Sequence, residues 1–113
     1  MPPSTTPTIR KGRDVLTLVN VFTVRPENQQ KLVDMLVEAT DKTMKTLPGF
    51  ISASIHRSLD GTKVVNYAQW RSKNDFDAMR LHPAARPHME AIAAIAHFDP
   101  ILCEVSESVT ASD

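Results

Sequence analysis

Two rhythms of apolar and polar residues alternate along this chain, and the switches between them mark its elements. Val15 to Val24 is apolar at odd and even positions alike, the pattern of a central strand covered on both faces. Asn20 is its one strongly polar member. Flanked by Leu18 and Phe22 on its own face, a buried amide there must find partners or cost about 1–3 kcal/mol. Pro26-Glu27 then suits a helix start, with proline where the first turn tolerates it and an acid near the positive end of the dipole. Leu32, Leu36, Ala39, Thr43 and Leu47, with Met35 and Met44, keep helical spacing on one stripe as far as Pro48-Gly49. The methionines belong to that core stripe.

Period-two alternation returns after Gly49. Phe50 to Arg57 sets Ile51, Ala53 and Ile55 against Ser52, Ser54 and His56. Thr62 to Arg71 sets Val64, Asn66, Ala68 and Trp70 against Val65, Tyr67 and Gln69. Leu59-Asp60-Gly61 between them suggests a three-residue hairpin loop with Gly61 left-handed, so that Ser58 pairs with Thr62. In that register Ser54 faces Asn66 and Ser52 faces Ala68, while Ile55 faces Val65 and Ala53 faces Tyr67. One face is then polar and notched, bearing Ser52, Ser54, His56, Asn66, Ala68 and Trp70. The apolar face is expected under the helices. At a rise of roughly 3.3 Å per residue, Asn66 and Trp70 stand about 13 Å apart with small Ala68 between them, which suits a flat, partly polar ligand. The structural alternative is a core tryptophan and an asparagine bonded to backbone.

Ser72-Lys73-Asn74-Asp75 has the form of a helix cap, and the helix it opens carries Phe76 and Met79 inward. His82-Pro83 interrupts it, and a second segment with Pro87 in its opening turn presents Met89, Ile92, Ala93 and Ile95. His97 to Pro100 reads as a break before a last strand, Ile101 to Val105. Strand, helix, strand, strand, broken helix, strand is the ferredoxin-like split βαβ order. It belongs to the α+β class, a four-stranded antiparallel sheet with helices on one face. The side bearing Leu16, Leu18, Phe22 and Trp70 is expected to lie open in a monomer, an apolar patch of the kind that marks association. Two sheets meeting by two-fold symmetry would cover it, so a homodimer is expected. Residues 1–13 read as a disordered tail, 14–106 as the domain and 107–113 as a C-terminal tail.

Composition narrows the function. The 113 residues make one domain, and 13 acidic side chains balance 13 basic ones, so nucleic acid is not an expected partner. Neither a signal peptide nor a membrane-spanning run is present in the sequence, which points to a cytoplasmic protein without a membrane partner. Cys103 is the only cysteine and reads as a buried structural residue. His82 and His88 are six apart across Pro83 with no carboxylate cluster, so no metal site is expected. His56 is a candidate base, since imidazole titrates near neutral pH; the alternative is a solvated strand end beside Arg57.

The runs Asn20-Val21-Phe22-Thr23-Val24-Arg25-Pro26-Glu27, Leu47-Pro48-Gly49-Phe50-Ile51-Ser52-Ala53-Ser54, Asp60-Gly61-Thr62 and Asn66-Tyr67-Ala68-Gln69-Trp70-Arg71-Ser72 resemble the antibiotic biosynthesis monooxygenase family. The resemblance covers residues 14–106 and implies a dimeric α+β barrel. More narrowly, Asn20, Asn66 and Trp70 are similar to the site of anthrone oxygenases of aromatic polyketide pathways. What this implies is cofactor-free oxidation of a small phenolic polycycle to a quinone, with O2 as co-substrate. Asn20 and Asn66 would hold the developing oxyanion, and Trp70 would stack on the rings or donate to a peroxide. Ser52, Ser54, His56, Ala68, Phe22, Met79 and His88 complete the implied substrate-binding set. Haem-degrading monooxygenases of the same superfamily supply an alternative, with Asn20 matching and His88 in the place of the haem ligand. There Met79 stands where those enzymes have tryptophan. Small-molecule isomerases and non-catalytic binding proteins share the fold, and His82 and His88 leave room for the former.

Overall fold

Strand β1 (Leu16–Val24) occupies an inner position in a four-stranded sheet with the order β2-β3-β1-β4, in which every pair of neighbours is antiparallel. The computed structural model describes residues 6–9, 11–12 and 14–112, so most of the expected N-terminal tail and Asp113 lie outside the described residues. After β1 come a short 3-10 turn at Pro26–Asn28, α1 (Gln29–Lys42) and a second 3-10 turn at Met44–Thr46. Then follow β2 (Phe50–Arg57), β3 (Lys63–Trp70), α2 (Lys73–Arg80), α3 (Arg86–Ala93) and β4 (Ala96–Cys103). The ferredoxin-like order is as expected. Ser72 caps α2, its hydroxyl accepting from the Asp75 backbone N–H at 3.1 Å.

On β1 and β3 the helices cover the opposite face from the one expected, whereas on β2 Ala53 and Ile55 lie under them as expected. Leu18, Ala68 and Trp70 pack with Phe76, Met79 and Ala85, and Phe22, Val24 and Val64 pack with Leu32, Leu36 and Ile92. Taken together, those strand residues form the larger continuous apolar surface, and a helix stripe buries most where the sheet is most apolar. Val19, Val21, Val65 and Tyr67 are left on the uncovered side, where Ile101 is 45% exposed.

The β2–β3 hairpin is also shifted by one residue. Ser58 pairs with Lys63 rather than Thr62: the Lys63 carbonyl accepts from the Ser58 N–H at 2.9 Å. The cause is Asp60. Its carboxylate accepts from the Thr62 N–H at 2.9 Å, the Thr62 hydroxyl at 2.8 Å and the Ser58 hydroxyl at 2.7 Å, which draws Thr62 into the turn. Gly61 takes the left-handed conformation at φ +84°. Ala53 therefore faces Ala68 and Ile55 faces Asn66, whereas Ser52, Ser54 and His56 share the open face with Gln69, Tyr67 and Val65. A bulge at Ile51 then resets the parity, so that Phe50 returns to the helix side opposite Trp70.

Strand β4 starts at Ala96, so the expected break at His97 to Pro100 is strand instead. It bonds only to β1 and is an edge, where a proline's missing N–H removes no ladder bond. No helix among the described residues is long and apolar enough to cross a membrane.

The hydrogen bonds from Thr62 and Ser58 hold the Asp60 carboxyl down to about 2, against an ordinary value of 3.8. A depressed carboxyl contributes stability that is present in full above 3.8 and lost as pH falls through 2. Carbon-detected NMR of the side chain should therefore show a midpoint near 2, with the Thr62 amide moving in step. Titration at the ordinary value would mean that the turn is not held by this carboxylate.

Candidate functional site

Between the sheet and its helices lies a cavity of about 310 Å³, at the lower end of the size range of small-molecule sites. Alternation in the strands decides its floor. Leu18, Asn20 and Phe22 of β1, Asn66, Ala68 and Trp70 of β3, and Ala53 of β2 all point into it. Leu36, Ala39 and Thr40 of α1, Phe76, Met79 and Arg80 of α2, and Met89 and Ile92 of α3 form the walls. Of the residues that line it, Arg80, Phe98 and Pro100 are exposed, so the cavity meets solvent beside them.

The antiparallel register of β1 on β3 sets Asn20 directly opposite Asn66. Both carbonyl oxygens, Oδ1 of Asn20 and Oδ1 of Asn66, are sealed from solvent and have no hydrogen-bond partner. Each such acceptor costs about 1–3 kcal/mol, and both lie on residues that line the cavity. The Nδ2 groups of the two amides are not sealed in this way, and their N–H donors can meet a hydroxyl or an oxyanion in the cavity. Thr17 Oγ1 is likewise unpartnered but lies on the other face of the sheet.

Trp70 is 2% exposed and fixed by edge contacts with Phe50 at 5.3 Å and Phe76 at 6.3 Å. Packed in this way it forms a rigid aromatic wall. Among the described residues the lining contains no aspartate, glutamate, histidine or lysine, and Arg80 carries its one charge. Outside the cavity, hydrogen bonding to Arg71 lowers the Asp75 carboxyl and hydrogen bonding to Lys73 lowers that of Asp77.

Asn20, Asn66, Trp70, Ala68, Phe22 and Met79 are thus gathered in one cavity. Ser52, Ser54 and His56 are not, because the one-residue shift sends them to the open face. There the Ser52 hydroxyl donates to Gln69 Oε1 at 3.1 Å, and His56 Nδ1 lies 3.4 Å from the Val65 carbonyl oxygen. His88 is also outside the lining, with Nε2 3.0 Å from Thr43 Oγ1, while its neighbour Met89 lines the cavity. Sequence reasoning missed Phe76, Arg80, Met89 and Phe98 as lining. Phe76, Met79 and Arg80 stand at i, i+3 and i+4, a spacing that places them on one helix face and was open to view. Phe98 was hidden by the expected break in β4.

With this geometry in place, comparison with known proteins is informative. Residues 15–93 match the antibiotic biosynthesis monooxygenase family, and the chain belongs to that family of monooxygenases. It is 48% identical over 105 residues to tetracenomycin-F1 monooxygenase of Streptomyces glaucescens, covering 93% of this chain and 94% of that one. The fold is similar to the monooxygenase from the gene ActVA-Orf6 of Streptomyces coelicolor, solved in complex with nanaomycin D. That match has a TM-score of 0.78 and 29% identity over 86% of this chain and 92% of the other. SnoaB, a cofactor-independent oxygenase from Streptomyces nogalater, superposes with a TM-score of 0.70 at 24% identity, covering 85% of this chain and 97% of its own.

The unpartnered carbonyls yield a stability prediction. Replacing Asn66 by Leu, of similar volume, removes a desolvated acceptor, so the folding free energy from urea unfolding should stay level or rise by about 1 kcal/mol. A fall of about 2 kcal/mol or more would show that the amide holds the fold together rather than awaiting a ligand.

Proposed function

We propose that this protein is a cofactor-independent monooxygenase that oxidises a phenolic, anthrone-like polycycle of polyketide type to a quinone with O2. The observation that carries the proposal is the opposed pair Asn20 and Asn66, unpartnered in an otherwise apolar cavity walled by Trp70. Its relatives support the chemistry. One is named tetracenomycin-F1 monooxygenase and one, also a monooxygenase, was solved with nanaomycin D; a third, alike in fold at 24% identity, is described as a cofactor-independent oxygenase.

The substrate supplies the electrons. The methylene opposite the carbonyl of the central ring, between two aryl rings, loses a proton to give an extended enolate, whose oxygen the N–H donors of Asn20 and Asn66 stabilise. One electron passes from the enolate to O2, the two radicals join as a hydroperoxide on the former methylene carbon, and loss of water leaves the new carbonyl. One oxygen atom enters the product and the other leaves in water. Since the described lining has no carboxylate, imidazole or amine to take the proton, and a guanidinium stays protonated, the amides act by raising the acidity of the bound substrate, and the proton leaves to water at the mouth. Trp70 stacks against the rings and holds the reacting carbon beside the amides. The haem alternative is not favoured, because its ligand histidine would be His88, which is engaged with Thr43 outside the cavity lining.

The proposal includes a homodimer formed through the open sheet face, where Val19, Val21, Val65, Tyr67 and Ile101 make an apolar band. Sedimentation should give a dimer for the native chain and a monomer for the Val21→Lys variant. A native chain that sediments as a monomer at micromolar concentration would refute this assembly.

The central test is oxygen uptake with an anthrone such as dithranol after treatment with a chelator. Uptake should exceed the spontaneous rate and survive chelation, and kcat/KM should fall by about 10² or more in Asn66→Ala and in Asn20→Ala. Full activity in both variants, or no uptake across several phenolic polycycles, would overturn the proposal.

A further inference from the structure

Among the described residues Arg80 is the one charged side chain in the lining of an otherwise largely apolar cavity, and its local bonding leaves it largely unclaimed. Its guanidinium makes one ion pair, Nη2 to Asp77 Oδ1 at 3.4 Å. That carboxylate is already engaged by Lys73 Nζ at 2.7 Å. One carboxylate is thus shared by two cations, and the cluster carries a net positive charge at the cavity mouth. An exposed pair this long contributes little to stability, so helix stability alone does not explain the arginine's place.

The guanidinium lies 5.5 Å from the centre of the Phe76 ring, which orients it along the cavity wall. Phe76 in turn meets Trp70 at 6.3 Å, and Trp70 lies four residues along β3 from Asn66. An aromatic wall therefore runs from Trp70, on the same strand face as Asn66 with Ala68 between them, through Phe76 to a cation at the rim. A flat ligand with its reacting oxygen at Asn20 and Asn66 extends over Ala68 and along Trp70 and Phe76 towards Arg80.

We propose that Arg80 forms an anion subsite at the cavity mouth that takes a carboxylate on the ring of the polycycle farthest from the reacting carbon. The choice of ring system rests on the oxygenase proposal; the subsite itself rests on the unclaimed fork of N–H donors. A guanidinium matches a carboxylate with two parallel hydrogen bonds, which a lysine at this position would not reproduce. Such a subsite would fix which end of a long substrate enters first, and so which carbon meets the amides.

The test is equilibrium binding with no oxygen chemistry in it. Trp70 is the only tryptophan in the chain, so quenching of its fluorescence reports cavity occupancy. Anthraquinone-2-carboxylate and its neutral isostere anthraquinone-2-carboxamide are titrated into the native protein, Arg80→Gln and Arg80→Lys. The native protein should bind the carboxylate about tenfold more tightly than the amide, and this ratio should fall to about one in Arg80→Gln. Arg80→Lys should keep part of the ratio, which should shrink as salt rises from about 0.05 to 0.5 M. Equal affinities in the native protein, a ratio that survives in Arg80→Gln, or binding of neither compound would overturn the subsite. Failure to oxidise anthrones, by contrast, would sink the oxygenase proposal and leave this result standing.

Discussion

The pairing of β1 with β3 is the constraint on which the site depends. Side chains alternate with a period of two, so the register that sets Leu16 against Trp70 also sets Leu18 against Ala68, Asn20 against Asn66 and Phe22 against Val64, all on the side under the helices. A slip of one residue would send Asn66 and Trp70 to the open face and leave Asn20 without its counterpart. Burial prevents it, since Phe22 and Val64 are 4% and 0% exposed in one cluster with Leu32 and Leu36. At the far end the Val24 N–H donates to the Thr62 carbonyl at 3.0 Å, which ties β1 to the hairpin turn that Asp60 organises. The same carboxylate that shapes a surface turn thereby helps to keep two buried amides face to face.

That register also explains why a cavity exists. Ala53 faces Ala68, and Ala68 faces Leu18, so two alanines lie side by side in the middle of the floor. Large residues flank them, with Phe50 and Trp70 on one side and Ile55 and Asn66 on the other. Helices held off by Trp70, Phe76 and Met79 cannot drop into the dent, and the unfilled volume forfeits packing energy. Two unpartnered carbonyls in the same wall add to that cost. A fold selected for stability alone would fill the space with a leucine and replace the amides. Both liabilities occur together on the residues that line the cavity.

Much of the fold was legible because its signals are local and redundant. The strand and helix order followed from periodicity, the α2 cap from Ser72 and Asp75, and the special turn conformation from Gly61. The departures came from features that alternation does not report. Whether Thr62 joins the strand or the turn is decided by three hydrogen bonds to Asp60, and that single residue moved Ser52, Ser54 and His56 to the opposite face. Pro100 looked like a break because the sequence does not say which strand is an edge. Asn20, Asn66 and Trp70 were recoverable because each lies on a strand whose parity is independent of the hairpin loop between β2 and β3. Arg80 was not, since a polar residue near a helix C-terminus is most often solvated.

A largely apolar cavity with two amides and, among the described residues, no carboxylate, imidazole or amine is a poor site for a reaction that needs an enzyme-borne proton acceptor. It suits one in which the substrate carries both the acidity and the electrons. In a medium of low dielectric constant a neutral amide donor stabilises a nearby oxyanion more strongly than it would in water, where solvent competes for the charge. A carboxylate or imidazole in the same wall would bring a charge or a proton of its own and hydrogen-bond water into the pocket. The proposed enolate needs neither, and its neighbouring apolar walls leave room for O2, itself a small apolar molecule. Seen in this way, the exclusion of ionisable groups from the floor and the placing of the one cation, Arg80, at the rim are two parts of the same solution. In the proposed reaction, charge is kept where it can guide a substrate's far end, and away from the carbon where the electron leaves.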